Sequence, residues 1–418
     1  MSRAEIWIDD ETLGAAMRVG RLTKAPSKTG DTINFEYTPE WLDDTGPARS
    51  FALDPQLHLT SGPHYARSGA SSLTGALLDV SPDRWGKRLM DRREAIEARE
   101  QGRKPRTLRA WDYLAGVNDG ARMGALRLKD QDSGRYIDDG PLSAPPMTEL
   151  RELEAIAAHV EAGTADESRE QVRWLRQLLA PGASLGGARP KASFRDPEGQ
   201  LWLAKFPSNE DRIDVGLWEF VTHQLSLAAG IVVPDAKLLR LSNRGHTYAT
   251  KRFDRTPSSR RAYSSAMTRL DATESEGSSY LDIVQVIESS GTSKQIGANL
   301  EQLFRRALFN ILVGNRDDHL RNHGFLRVGD GWELAPAFDV NPNPHKDHHV
   351  LAINEADPSP DSGLLLAMTD YYRLDKQRSK AVVDQVRAAV CRWEGVAMSH
   401  GASGSEAALM RAIIDAER

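Results

Sequence analysis

The sequence predicts a mixed α/β (α+β) protein, rich in short strands as far as residue 255 and mostly helical from Tyr280 to its end. Three observations predict it. Segments such as Glu5-Ile-Trp-Ile8 and Ile33-Asn-Phe-Glu-Tyr-Thr38 alternate with the two-residue period of half-buried strands. Two later pairs of such segments, 191–195 with 200–206 and 236–241 with 247–253, are joined by the turn sequences Asp196-Pro-Glu-Gly199 and Ser242-Asn-Arg-Gly245, as hairpins are. Further on, Ile296, Leu300, Leu303, Phe304, Ala307, Leu308, Ile311 and Leu312 recur at three- and four-residue steps, the period of a helix with a buried face.

In chain order, residues 1–130 read as an N-terminal α/β subdomain. The segment 15–20 is expected to pair with 5–8. Residues 77–86 read as a turn into a helix that runs to about Arg99, with Ser81 as N-cap and Pro82 at the first helical position. A short helix is expected over 107–116 and a closing strand over 123–128. Asp, Gly, Ser and Pro then dominate 130–146 and mark a boundary. The next domain, 147–255, begins with helices at 148–160 and 167–179. It continues through the two hairpins and a helix at 215–229, which Gly230 and Pro234 terminate. The last domain, 256–418, opens with a Ser-, Thr-, Arg- and Glu-rich stretch (256–278) that reads as a mobile loop. It is otherwise helical, apart from a hairpin after Asn322 and a His-rich insert at 342–353. Cys391 sits in an amphipathic stretch and reads as a small core residue.

The chemistry concentrates after the helix at 296–313. Gly314 stands where a left-handed residue would end that helix. The run Gly314-Asn-Arg-Asp-Asp-His-Leu-Arg-Asn322 follows, then a hairpin turning at Gly329-Asp-Gly331, then Pro336-Ala-Phe-Asp339. Phosphoryl transfer calls for this layout: a carboxylate to orient the attacking hydroxyl, an amide for Mg²⁺, and a further carboxylate bridging metal and phosphates. Asp317 to Asn322 has the D-x-x-x-x-N spacing of a kinase catalytic loop, and Asp318 does not. Asp317 is therefore read as the base, Asn322 and Asp339 as metal ligands, and Asp318 as a neighbour. One amide and one carboxylate, completed by water and nucleotide, suit Mg²⁺. A charged surface loop after a core helix has the same pattern, so the loop alone does not decide.

Upstream, Pro181-Gly-Ala-Ser-Leu-Gly-Gly-Ala-Arg-Pro-Lys-Ala192 combines glycines, which let backbone N–H groups approach oxyanions, with the charges of Arg189 and Lys191. A flexible turn before a strand is the alternative. Lys205 falls on a strand and Glu219 in the following helix, the order of the ion pair that holds a kinase lysine in place. Where the chain leaves the second hairpin a kinase has its hinge, and Phe253 is placed there to lie against an adenine. His345, His348 and His349 have no cysteine or His–Glu helical partner that supports zinc; His319 is read as hydrogen-bonding phosphate or base.

Composition excludes several classes. The 418 residues are 40% hydrophobic and 27% charged, with a net charge of −5, so no bulk attraction to nucleic acid is expected. The basic residues from Arg92 to Arg109 are interrupted by Glu94, Glu97 and Glu100 and read as a solvated helix face. A single cysteine rules out an internal disulfide framework and fits a reducing cytoplasm. No apolar run approaches a membrane span, and the first ten residues are too acidic for a secretory signal.

Eight motifs in order resemble the HipA family, the serine/threonine kinase toxins of bacterial toxin–antitoxin pairs. They are Pro82-Asp-Arg-Trp-Gly86, Met123-Gly-Ala-Leu126, Ser184-Leu-Gly-Gly-Ala-Arg-Pro-Lys191, Lys205-Phe-Pro207, Val233-Pro-Asp235, Arg252-Phe-Asp-Arg255, Asp317-Asp-His-Leu-Arg-Asn322 and Pro336-Ala-Phe-Asp339. The resemblance implies a two-lobed, protein-kinase-like fold. A smaller N-terminal α/β subdomain would precede an α/β N-lobe and a mostly helical C-lobe, with ATP between the lobes. It implies that Lys205 contacts the phosphates and that Lys251 and Phe253 frame the adenine; Ser184, Leu185, Gly186, Gly187, Ala188 and His319 are the further expected ATP-binding residues. Asp317 would be the base, and Asn322 and Asp339 would hold Mg²⁺. It further implies autophosphorylation of Ser184 that silences the kinase, since a phosphate adds about −1.5 to −2 charges to a phosphate-binding loop. The implied partners are a small helix-turn-helix antitoxin of the HipB type, DNA mainly through that antitoxin, and a protein substrate such as an aminoacyl-tRNA synthetase. The chain departs from the best-known members at Leu185-Gly186-Gly187 and Arg316-Asp317-Asp318. Kinases of small molecules or lipids share the Asp–Asn spacing, and an antitoxin-bound co-repressor that keeps the fold is a third reading.

Overall fold

Ala4, Ile6 and Ile8 turn inward from the strand Ser2–Ile8, while Glu5 and Trp7 stay half-exposed, so one face of the first strand builds a core. Its antiparallel neighbours are Met17–Ser27 and Leu126–Asp130. The whole sheet runs His64–Tyr65, Gly30–Tyr37, Met17–Ser27, Ser2–Ile8, Leu126–Asp130, with the pairing expected of 15–20 with 5–8 and a closing strand near 123–128. This sheet belongs to the first of two units in the computed structural model, which describes residues 2–27, 30–43, 51–67, 71–140, 144–162, 178 and 187–415. The first unit comprises Met1–Asn209 with Asp254–Ser264; the second comprises Glu210–Phe253 with Ser265–Arg418.

In the first unit the helix Arg84–Glu100 starts later than its sequence suggests. Its N-cap is Asp83, whose carboxylate accepts from Gly86 N at 2.6 Å, whereas Ser81 donates to Leu77 O at 2.7 Å. A carboxylate suits the positive end of a helix, and Asp83 is the cap that also has a cationic partner, described below. Beside this helix lies Arg122, with no exposed surface, donating to Val80 O, Leu114 O and Val117 O at 2.9–3.0 Å. Burial pushes its pKa down to about 10, so it stays charged at neutral pH and joins three chain segments. The helix expected at 148–160 is Leu150–Ala162. Of the one expected at 167–179, only Leu178 lies within the described residues. The first expected hairpin forms as Lys191–Arg195 against Leu201–Lys205.

The second unit is built around the helix Ile296–Val313, which is buried throughout from Leu303 to its end. It packs against Tyr280–Ser290 on one side and Lys376–Val390 on another. The helix Val215–Ala228 joins the same core through Trp218, whose ring lies 6.1 Å from that of Trp393. Two hairpins, Ala236–Leu239 with Thr247–Lys251 and Gly324–Val328 with Gly331–Leu334, complete the unit. Two expectations need correcting here. The stretch 256–278 is ordered: Arg260 donates to Asp119 Oδ2 at 3.0 Å within the first unit, and Ser265 caps a turn of helix, Ala266–Arg269, in the second. Its many polar residues are used as caps and ion pairs, which composition alone cannot distinguish from a solvated loop. Cys391 follows the last turn of Lys376–Val390 on the outside and is exposed.

Gly314 ends the central helix in the left-handed conformation, φ 70° and ψ 29°, as expected. A Cβ there would also lie 3.1 Å from Ile413 Cβ. Gly314→Ala is expected to cost about 1–2 kcal/mol, lowering the denaturant midpoint with the slope unchanged in equilibrium unfolding.

Candidate active site

The polar loop begins where the central helix stops. Asn315 folds back onto the helix, its backbone N–H donating to Asn310 O at 2.9 Å and its side chain to Asn310 Oδ1 at 3.1 Å. Asp317 and Asp318 then take opposite environments. Asp317 is exposed and pairs with Lys346 Nζ. Asp318 is 3% exposed, and its Oδ2 accepts from Tyr280 Oη at 2.5 Å, Asn310 Nδ2 at 3.0 Å and His323 Nε2 at 2.7 Å. Burial pushes the Asp318 carboxyl up, but the His323 ring and the Tyr280 hydroxyl outweigh it and hold the group below the usual carboxylate range. The same burial, with the Asp318 charge beside it, pushes the Tyr280 phenol well above its ordinary value.

Past Asp318 the chain makes one turn of 3-10 helix, Leu320–Asn322, with His319 half-buried as the residue before it. Asn322 is buried, and its Nδ2 donates to Asp317 O at 3.3 Å. That leaves Oδ1 as the atom of this side chain able to ligate a cation. Asp339 is half-buried in a left-handed conformation, φ 59°, which aspartate tolerates better than most residues. Neighbouring bonds hold it there: Ala337 N donates to Val232 O at 2.8 Å, Thr222 Oγ1 to Val340 O at 2.6 Å, and Asn341 Nδ2 to Asp339 Oδ1 at 3.4 Å. Among the described residues no three of His, Cys, Asp and Glu converge as a metal site. An amide oxygen and a carboxylate are hard donors that fit Mg²⁺, which keeps several waters and takes phosphate oxygens rather than an all-protein cage.

Around these groups stand other residues singled out in the sequence. Glu219 is buried in Val215–Ala228. Burial, with the charges of Glu219 and Asp339, pushes the Tyr248 phenol far up, so this ring lies near both carboxylates. Phe253 packs on Phe338, ring centroids 5.4 Å apart, beside Asp339 in sequence. Lys251 ends its strand with its backbone N–H on Asp235 O and its Nζ 3.9 Å from Asp235 Oδ2. His223 donates through Nε2 to Pro234 O at 2.7 Å and so anchors Val233-Pro-Asp235.

In the first unit two of the sequence motifs meet. Lys191 is 1% exposed and its Nζ donates to Asp83 Oδ2 at 2.7 Å. Trp85 Nε1 donates to Lys191 O at 3.1 Å, and Trp85 N to Gly187 O at 3.3 Å. Gly187 has φ 108°, and a Cβ on it would lie 3.1 Å from Lys191 Nζ. Gly187 and Ala188 are exposed. Ser184, Leu185 and Gly186 lie outside the described residues. Lys205, at the end of Leu201–Lys205, is buried and in register with Lys191.

Sequence reasoning missed the network under the loop: Tyr280, Asn310 and His323, with Asp318 taken for a bystander. One signal was present. Asn310 is an amide inside the apolar run Leu308–Val313 of the central helix, and a polar residue there needs a buried partner. Lys346 and Arg316, whose guanidinium donates to Lys346 O, were missed as well. Nothing in the spacing places the insert at 342–353 beside Asp317.

Comparison with known proteins follows the same outline. A family model described as HipA-like C-terminal domain matches residues 183–393, 211 of the 418 in the chain. A serine/threonine-protein kinase toxin HipA from Shewanella oneidensis is 23% identical over 352 residues, covering 75% of this chain and 70% of that protein. A solved structure of HipA from the Shewanella oneidensis MR-1 toxin–antitoxin complex with HipB and operator DNA superposes with a TM-score of 0.64. It is 16% identical and covers 98% of this chain and 94% of its own. The Helicobacter pylori proinflammatory kinase CtkA aligns at a TM-score of 0.37 and 14% identity over 54% of this chain and 88% of its own. At 16% identity the HipA match speaks for the fold, a mixed α/β architecture of the kinase-like class expected from the sequence.

The Asp318 network sets a pH dependence. A carboxyl held below its unfolded value of about 3.9 adds stability that is full above that value and is lost as the pH falls through the folded value. Asp318→Asn is expected to lose roughly 1–3 kcal/mol at neutral pH. The gap to wild type should narrow in unfolding curves taken below about pH 4; a constant gap would show that the ionised form is not what the network holds.

Proposed function

The chain belongs to the HipA family, and from that footing we propose that it is an ATP- and Mg²⁺-dependent serine/threonine protein kinase, the toxin of a toxin–antitoxin pair. The observation that carries the reading is the division of labour between adjacent aspartates. Asp318 is buried, with its Oδ2 accepting three hydrogen bonds, while Asp317 is presented at the surface five residues before a buried amide. Asp317 accepts the proton of a serine or threonine hydroxyl as its oxygen bonds to the γ-phosphorus and the bond to the β-phosphate oxygen breaks. Asn322 Oδ1 and the Asp339 carboxylate are the Mg²⁺ ligands. When bound, that ion neutralises charge on the β- and γ-phosphates. Lys205 and residues 184–188 are assigned to the phosphates, and Glu219 keeps the sequence position of the ion-pair glutamate. Lys251 and Phe253 border the adenine, and His319 hydrogen-bonds phosphate.

The substrate is proposed to be a protein of translation such as an aminoacyl-tRNA synthetase, and Ser184 the site of silencing autophosphorylation. Partners are a HipB-type helix-turn-helix antitoxin and, mainly through it, DNA; the related Shewanella complex holds HipA, HipB and operator DNA. Among the described residues no helix is long and apolar enough to cross a membrane. A cytoplasmic location is part of the proposal.

Incubation with ATP and Mg²⁺ followed by intact-mass measurement and site mapping tests the reading. One added phosphate on Ser184 is expected, with ATP turnover falling roughly 10²–10⁴-fold in Asp317→Asn. Unchanged turnover in that variant would remove Asp317 as base. ATP binding without any phosphorylated protein would redirect the assignment to a small-molecule acceptor.

A further inference from the structure

Behind the loop, the second unit contains a cavity of about 10 Å³ bordered by Ser226, Arg306, Asn310, Asp318, Asn322 and His323. Three of these residues carry a buried polar atom with no hydrogen-bond partner: Ser226 Oγ, Arg306 Nε and His323 Nδ1. The residues themselves are 1%, 4% and 2% exposed. Elsewhere on these side chains, Arg306 Nη2 donates to Ala335 O at 2.7 Å and His323 Nε2 meets Asp318 Oδ2 at 2.7 Å. Buried polar atoms are rarely left unpaired, and the exceptions call for an explanation. A site of this size holds about one water, which needs two to four polar partners, and is too small for phosphate or another polyatomic anion.

We propose that this cavity binds one water, accepting from Arg306 Nε–H and hydrogen-bonded to Ser226 Oγ and His323 Nδ1, and that His323 so held is a positioning residue for Asn322. The water joins the helix Val215–Ala228, the central helix Ile296–Val313 and the end of the catalytic loop. His323 is then fixed at both ring nitrogens, by Asp318 on one side and by the water on the other. Asn322 precedes it directly in the chain, so the orientation of its amide depends on a ring that cannot turn. The existence of the water stands on burial and cavity size; the positioning role rests on the kinase reading above.

A crystal structure of the full chain at a resolution that orders buried water is expected to show one peak within hydrogen-bond distance of all three atoms. A dry cavity overturns the proposal. Ser226→Val puts methyl groups in the water's place. It is expected to abolish the peak and lower kcat for phosphoryl transfer roughly tenfold while KM for ATP changes less than about twofold. Ser226→Thr, which keeps the hydroxyl, should restore the peak and most of the loss. Ser226→Ala cannot overpack the site and covers a folding failure of the valine variant; its kcat should fall in the same direction. Unchanged kcat in both Ser226→Val and Ser226→Ala overturns the positioning role. A wild-type chain that transfers no phosphate overturns the kinase reading and that role together, and the density then decides the water alone.

Discussion

A carboxylate inside a protein is tolerated only where donors replace the water it has lost. Asp318 meets that requirement with a phenol from Tyr280–Ser290, an amide from the central helix and an imidazole from the start of the following strand. These donors come from three elements, so removing any one leaves a buried charge short of partners. The requirement also orients the neighbour. Asp317 is 56% exposed at its side chain while Asp318 is buried, so anchoring the second aspartate inward presents the first outward. The outward direction of Asp317 thus follows from the inward anchoring of the residue beside it.

The second carboxylate is fixed by different means. Asp339 sits at φ 59°, a conformation that costs an ordinary residue of order 1 kcal/mol and persists only when its surroundings impose it. Ala337, Val340 and Asn341 are each bonded, to Val232 O, Thr222 and Asp339 itself, so the backbone on both sides of Asp339 is pinned. Strain at a position that would hold a cation is a reason to suspect function, and the motif Pro336-Ala-Phe-Asp339 had pointed there independently.

Much of this was legible in the sequence because it depends on local rules. The hairpins, the central helix and its left-handed terminus at Gly314 follow from period and turn chemistry that act within a dozen residues. The Asp–Asn spacing located the loop for the same reason. What could not be read is long-range pairing. Asp83, rather than Ser81, caps its helix, and its second oxygen is met by Lys191, far along the chain. Residues 256–278 look like a solvated loop until Arg260 finds Asp119 and Ser275 receives the N–H of Leu320. Asp318 looked like a spare carboxylate because its three partners lie 38, 8 and 5 positions away, at no repeating interval.

The same distinction bears on Lys346. An ion pair between exposed side chains is worth about 0–1 kcal/mol, too little to place a loop. The insert must therefore be held by its other bonds: Asn343 N donates to Gly314 O, and Arg316 donates to Lys346 O. Both anchors act on the backbone, so the lysine side chain is delivered to Asp317 without depending on the pair for its position. The cation is kept close by the main chain, and Asp317 can exchange it for another partner without the loop coming apart.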